Sequence, residues 1–159
     1  MKKGFLIIII LAVIILAGII IFTAPKGSSL ETLNNYPGEI NIHKSLTCGC
    51  CDVYSSYVDG KVSPKVNTLD TKGSDEIKIK YGIPSELQSC HTTIIGNYFI
   101  EGHMPLEAVE KLLKEQPDIK GIALPGMPMG SPGMPGPKSG DFVIYAVNND
   151  GTSSEFMRI

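Results

Sequence analysis

Apolar residues fill positions 5 to 22 without a break, from Phe5 to Phe22, and no later stretch matches that density. A buried strand is rarely so long, and a helix of a soluble domain would show a polar face. About 18 residues is near the lower limit for a helix that spans a bilayer, and it exceeds the usual ~7–15-residue apolar region of a cleaved signal. The following T-A-P-K-G-S-S offers no small-x-small cleavage site and no lipobox cysteine. We therefore expect an uncleaved anchor, with residues 1–29 as membrane segment and linker and residues 30–159 as the domain. Lys2 and Lys3 precede the run, so the positive-inside bias places everything after Phe22 outside the cytoplasm.

Beyond residue 30 the pattern shortens into alternating strand-like and helix-like pieces. E-I-N-I-H puts Ile40 and Ile42 on one face of a strand, and Val53, Tyr54, Tyr57 and Val58 then recur at helical spacing until Gly60. Val62, Val66 and Leu69 mark an extended segment that Pro64 confines to an edge or a strand start. Ser74 can cap a short helix that carries Ile77 and Tyr81 and stops at Gly82. Two β-prone runs flank Gly96-Asn97, a hairpin signal. Pro105 opens a helix with an apolar stripe of Leu106, Val109, Leu112 and Leu113. Finally F-V-I-Y-A-V and S-S-E-F-M-R-I flank N-N-D-G, a second hairpin. Strand, helix, strand, helix, hairpin, helix is the α/β, thioredoxin-like (βαβα-ββα) order, here with an added C-terminal hairpin.

Charge changes this picture little. Lysines and glutamates are scattered and the formal net charge is -2, so there is no basic stripe for nucleic acid. G-x-S-x-G, H-E-x-x-H, a Walker loop and a dinucleotide fingerprint are all absent from the sequence, which argues against hydrolase, kinase and dehydrogenase classes. One segment is compositionally biased: residues 124–138, rich in Pro, Gly and Met.

The cysteines change it more. Three of the four stand in T-C-G-C-C, at Cys48, Cys50 and Cys51, and the fourth is Cys90, followed by His91. Outside the cytoplasm thiols tend to pair. A Cys48–Cys51 bridge encloses almost no chain and contributes little as a staple, and adjacent Cys50 and Cys51 pair only under strain. In the expected fold the cluster falls in the loop between the first strand and the first helix, where free backbone N–H groups favour a thiolate. Cys48-Gly49-Cys50-Cys51 thus contains a C-x-x-C suited to disulfide exchange, with Cys48 attacking and Cys51 or Cys50 resolving. The same thiols suit a soft metal. Zinc fits Cys48 and Cys51 but leaves Cys50 surplus, an iron–sulfur cluster matches none of the usual spacings, and thioethers favour Cu(I). Spacing alone leaves metal binding and disulfide exchange both open; His91 and the methionine segment tilt the reading to copper.

T-C-G-C-C, G-I-P-S-E-L-Q-S-C-H-T, I-E-G-H-M-P and L-P-G-M-P-M-G-S-P-G-M, in that order, resemble the CopG-like copper-resistance family, an exported, thioredoxin-like group with a CxCC motif. The resemblance spans roughly residues 38 to 147. It implies Cu(I) binding outside the cytoplasm, with Cys48, Cys50, Cys51, Cys90 and His91 at the family's cysteine and Cys-His positions and His103 in its Gly-His-x-Pro block. It also implies that Ser89-Cys90-His91 enters the third strand facing the C-G-C-C segment, giving four sulfurs with an imidazole beside them. Met127, Met129 and Met134 are the weaker ligand candidates; such segments are commonly just extended linkers. Copper ions, the membrane and a copper-efflux or copper-oxidase protein are the expected partners. The alternatives are a thiol–disulfide oxidoreductase using Cys48 and Cys51, or a structural zinc site. Asp52 is expected only to complement its helix N-terminus, and Tyr54 and Tyr57 to lie in the core.

Overall fold

Strand pairing gathers the short apolar runs into a seven-stranded mixed sheet in the order β2-β1-β3-β4-β5-β6-β7. The computed structural model describes residues 30–71 and 74–159. The Phe5–Phe22 run lies outside them, as does the side chain of Ser74. Among the described residues no helix is long and apolar enough to cross a membrane. In chain order the elements are α1 (Glu31–Asn34), β1 (Ile40–Ser45), α2 (Gly49–Asp59), β2 (Val66–Thr71), α3 (Ser74–Tyr81) and a 3-10 turn (Ser85–Leu87). After these come β3 (His91–Ile95), β4 (Tyr98–Glu101), α4 (Leu106–Glu115), β5 (Ile119–Ala123), β6 (Val143–Asn148) and β7 (Ser153–Arg158).

Two parallel pairs, β1 with β2 and β4 with β5, are each joined through a helix on the sheet's face, while every other neighbouring pair is antiparallel. β2 is an edge strand beginning two residues after Pro64, as its missing N–H requires. The central strands are buried on both faces. Ile100 and Ile122 pack with Tyr54, Val58, Val109 and Leu112 beneath α2 and α4. Their chain neighbours Phe99 and Ala123 turn to the other face, against Ile83 and Leu87. Period-2 alternation thus supplies two cores from one sheet.

The structure differs from the sequence expectation at four places. Helix α2 starts at Gly49, so Cys50 and Cys51 belong to its first turn rather than to a preceding loop. Asp52 in that turn complements the dipole and meets Lys44 at 2.9 Å. Lys44 also meets Asp70 at 2.7 Å, which ties β1, α2 and β2 together. Pro105 is the N-cap of α4, one position earlier than expected, and Leu106 is the first helical residue. β5 was not foreseen: I-K-G-I-A has Gly121 in its middle, where a Cβ would stand 2.2 Å from the Phe99 carbonyl oxygen. Its signal is hidden because close strand approach, not side-chain pattern, fixes that residue. α1, also unforeseen, is only four residues long. Both Glu110 carboxylate oxygens accept from its N-terminus, from Thr32 N–H at 3.0 Å and Leu33 N–H at 2.8 Å. A cap supplied from 77 residues away leaves no local trace.

Candidate metal centre

Each site residue is placed by an element end. Cys48 is the N-cap of α2, and Cys50 and Cys51 follow in the first turn. Cys90 and His91 stand at the entry to β3, and His103 in the turn between β4 and α4. The sulfurs of Cys48, Cys50, Cys51 and Cys90 all lie within 4.8 Å of one another. Cys51, Cys90, His91 and His103 form a second group held to the same limit. Cys51 and Cys90 belong to both groups and join the thiols to the imidazoles. Cys48 and Cys51 are disulfide-bonded, with Cα atoms 5.3 Å apart, while Cys50 and Cys90 are free and half-buried. Cys50 Sγ is 3.6 Å from Cys48 Sγ.

The imidazoles are oriented from outside the group. His103 Nδ1 donates to the Pro132 carbonyl at 2.6 Å. A carbonyl only accepts, so the proton is on Nδ1 and the Nε2 lone pair faces Cys90 Sγ at 3.1 Å. A backbone carbonyl fixing the tautomer in this way is the usual outer partner of a metal-binding histidine. His91 Nδ1 is 3.4 Å from the same sulfur, and its buried Nε2 has no hydrogen-bond partner among the described residues. Tyr54, whose hydroxyl donates to the Met104 carbonyl, stacks at 4.4 Å on His91 and meets His103 edge-on at 5.4 Å. Its expected core role is therefore also a wall of the site.

Burial sets the protonation of this cluster. It pushes the Cys90 thiol up to about 11, helped by the neighbouring Cys50. Burial, His103 and Lys78 together push His91 down to about 3. Burial lowers His103 as well, against the Pro132 bond. Both imidazoles are thereby kept neutral, the form that binds metals. An acid-stability prediction follows for the metal-free protein. His91 is depressed in the folded state, so the unfolded chain binds the extra proton below about pH 6.5. Stability is full above that value and falls towards pH 3, by up to about 1.4 kcal/mol per pH unit for this one group. Urea unfolding across that window should show His91→Phe losing the corresponding part of the slope.

Four further residues hold the site without having been singled out by sequence. Glu101, fully buried, accepts from the Ser89 N–H at 2.5 Å, from the Thr92 hydroxyl at 2.6 Å and from Lys78. It therefore grips the chain on both sides of Cys90-His91, by the Ser89 backbone and the Thr92 side chain. Gly102 donates its N–H to the His91 carbonyl at 3.0 Å. Its φ is +85°, and a Cβ there would meet the Leu124 carbonyl at 2.5 Å. Pro132 and Gly133 bring the methionine-rich segment onto α2. Gly133 has φ +81°, and a Cβ would sit 2.9 Å from the Tyr54 nitrogen. Gly133→Ala should cost ~1–3 kcal/mol and lift the Pro132 carbonyl off His103, which denaturant unfolding and the His103 ring resonances would register. The detectable signal for Glu101 was a lone carboxylate in the apolar run Tyr98-Phe99-Ile100, since a buried charge demands a partner.

The methionines are less central. Met127 and Met129 are exposed, at 39% and 60%, and Met134 is half-buried.

The family model described as "Protein of unknown function, DUF411" matches residues 87–134, the part that carries Cys90, His91, His103 and the methionine segment. No curated protein matches the chain. Two solved structures are similar to it. One, titled "Copper resistance protein copG- Form 1", is 32% identical with a TM-score of 0.70, over 77% of this chain and 98% of that one. The other, "Copper resistance protein copG- Form 2", is also 32% identical with a TM-score of 0.70, over 76% and 97%.

Proposed function

The chain belongs to the family of the copper resistance protein CopG, and from that premise we propose that it binds Cu(I) outside the cytoplasm in copper resistance or handling. One observation carries the reading: four cysteine sulfurs and two histidine nitrogens fall into two groups, each within 4.8 Å, that share Cys51 and Cys90. Soft thiolates with imidazole select Cu(I) over harder ions. A closed zinc site uses about four donors. Six donors, with sulfurs able to bridge, suit more than one Cu(I). Cys48, Cys50, Cys51 and Cys90 supply thiolate sulfur, His91 the first imidazole and His103 the second. His91 Nδ1, 3.4 Å from Cys90 Sγ, and His103 Nε2, 3.1 Å from it, face the sulfur set and fit that role. Full use of the sulfur set requires the Cys48–Cys51 bond to be opened by two electrons.

The fold is thioredoxin-like, as β1-α2-β2 followed by β3, β4 and α4 supports, with β6 and β7 as an addition. Residues 5–22 anchor residues 30–159 to the outer face of the cytoplasmic membrane, and a copper-efflux or copper-oxidase protein is the exchange partner. A second reading, thiol–disulfide exchange, has its own observation in the Cys48–Cys51 disulfide at the N-terminus of α2.

Anaerobic titration of the reduced full-length chain with Cu(I), against a competing chelator, tests the proposal. More than one tightly held copper per chain, reduced in number by Cys50→Ser, supports it. Undetectable binding beside brisk reduction of insulin disulfides would replace it with the oxidoreductase. A single tight zinc in protein purified without added metal would replace it with a structural site.

A further inference from the structure

Cys90 stands where it can take over the disulfide of the C-G-C-C segment. Its sulfur is within 4.8 Å of both Cys48 Sγ and Cys51 Sγ, the two sulfurs already bonded to each other. It arrives from the entry to β3, which Glu101 and Gly102 hold in place, whereas the other three thiols ride on the start of α2. Cys90 itself is free. Disulfides rearrange by attack of a thiolate on one sulfur of the bond, and here the attacker and both candidate targets already share one cluster.

We infer that the Cys48–Cys51 disulfide is exchangeable within the folded chain. Cys90 Sγ attacks Cys51 Sγ, the Cys48–Cys51 bond breaks, a Cys51–Cys90 bond forms, and Cys48 is released as a thiol bearing the proton that Cys90 gave up. Two free thiols exist before and two after, so atoms and electrons balance with no outside oxidant or reductant. The direction of attack follows from the surroundings of the two bonded sulfurs. Cys51 is fully buried, while Cys48 is half-exposed at the N-cap. The unpaired N–H groups there favour the departing thiolate.

The exchange changes what the site presents. In the resting arrangement the free thiols are Cys50 and Cys90, one on each element. Afterwards they are Cys48 and Cys50 at one helix end, whose sulfurs already stand 3.6 Å apart in the resting arrangement. A soft metal ion or an external disulfide then meets an adjacent, half-exposed dithiol without prior reduction. The inference goes beyond metal binding and holds whether or not the site takes copper. With no catalyst of exchange, the rearrangement runs on the minutes-to-hours scale of uncatalysed disulfide shuffling.

The test needs no metal. The full-length chain in mild detergent is reduced, reoxidised to one disulfide with limiting diamide, and held anaerobically with a chelator at mildly alkaline pH. Samples are acid-quenched over hours, alkylated, and digested with trypsin without reductant. Cleavage after Lys44, Lys61, Lys80 and Lys111 leaves Cys48, Cys50 and Cys51 on one peptide and Cys90 on another. The resting bond is internal to the first peptide, and the exchanged bond links the two. We expect the linked pair to grow with time to about a tenth of the chains or more, the population of an isomer within tenfold of the resting one. Two alkylated thiols should remain per chain, with Cys48 among them in the linked species. Cys50→Ser should keep the linked pair and Cys90→Ser should abolish it. No linked pair in the wild-type chain overturns the exchange. A linked pair that vanishes in Cys50→Ser, or that appears only with loss of both free thiols, also overturns it and assigns the bond to Cys50–Cys90 oxidation.

Discussion

Cys90→Ser is expected to weaken Cu(I) binding by the reduced protein by about two orders of magnitude or more, a loss at or above the upper end of what removing a metal site's outer partner costs. Cys90 is the only thiol at the entry to β3, and its sulfur alone is within hydrogen-bond distance of both imidazoles. Without it, the cysteines of α2 retain a local set of three sulfurs, and His91 and His103 keep their positions but lose the sulfur that joins them to that set. Serine is nearly isosteric, and the Glu101 grip on Ser89 and Thr92 does not involve the sulfur. The fold should therefore survive, so the affinity loss reads the site rather than the scaffold. Competition titration measures it, with unfolding curves as the control. Affinity within about threefold of wild type, well inside the 1.4 kcal/mol that a tenfold change represents, would remove Cys90 from the ligand set.

Glu101→Ala should have the largest effect on stability, a loss of about 3–5 kcal/mol. Glu101 is 0% exposed and Lys78 only 3%, so the variant leaves an ammonium buried without its counter-charge. It also orphans the Ser89 N–H and one partner of the Thr92 hydroxyl. Burial pushes the Glu101 carboxyl upward even with Lys78 beside it, which indicates how much desolvation the pair must offset. Replacing both partners, Lys78→Met with Glu101→Leu, should recover much of the loss, because paired apolar replacements remove the desolvation cost as well as the attraction. Denaturant midpoints of the three variants check this directly. If Glu101→Ala unfolds within about 1 kcal/mol of wild type, the usual ceiling for an exposed ion pair, the buried pair is not what fixes Cys90-His91.

The chain's local signals carried most of the element pattern. Gly96-Asn97 and Asn148–Gly151 turn where hairpin chemistry requires, and the stripe Leu106, Val109, Leu112, Leu113 is buried as its spacing demands. Exceptions arose where distant groups decide the outcome. α1 is capped by Glu110 from α4, and Gly121 in β5 is dictated by the approach of the Phe99 carbonyl. Both depend on neighbours that sequence order does not reveal.

The candidate site divides along the same line. The sequence by itself determined the donor inventory: three thiols crowded at a helix start, a Cys-His pair and a second histidine before a helix. It did so because thiol, imidazole and helix-start chemistry are properties of residues and their immediate neighbours. The family resemblance set Cys90 opposite the C-G-C-C segment, and the structure has it there; only the tertiary structure decided that Pro132 sets the His103 tautomer and that Glu101 and Lys78 lock the strand between them. Those contacts join residues from 23 to 42 positions apart through sheet register and loop packing. Their energies come from burial, which raises the Cys90 thiol and lowers the histidines, and burial is a property of the assembled fold that no short stretch of chain possesses.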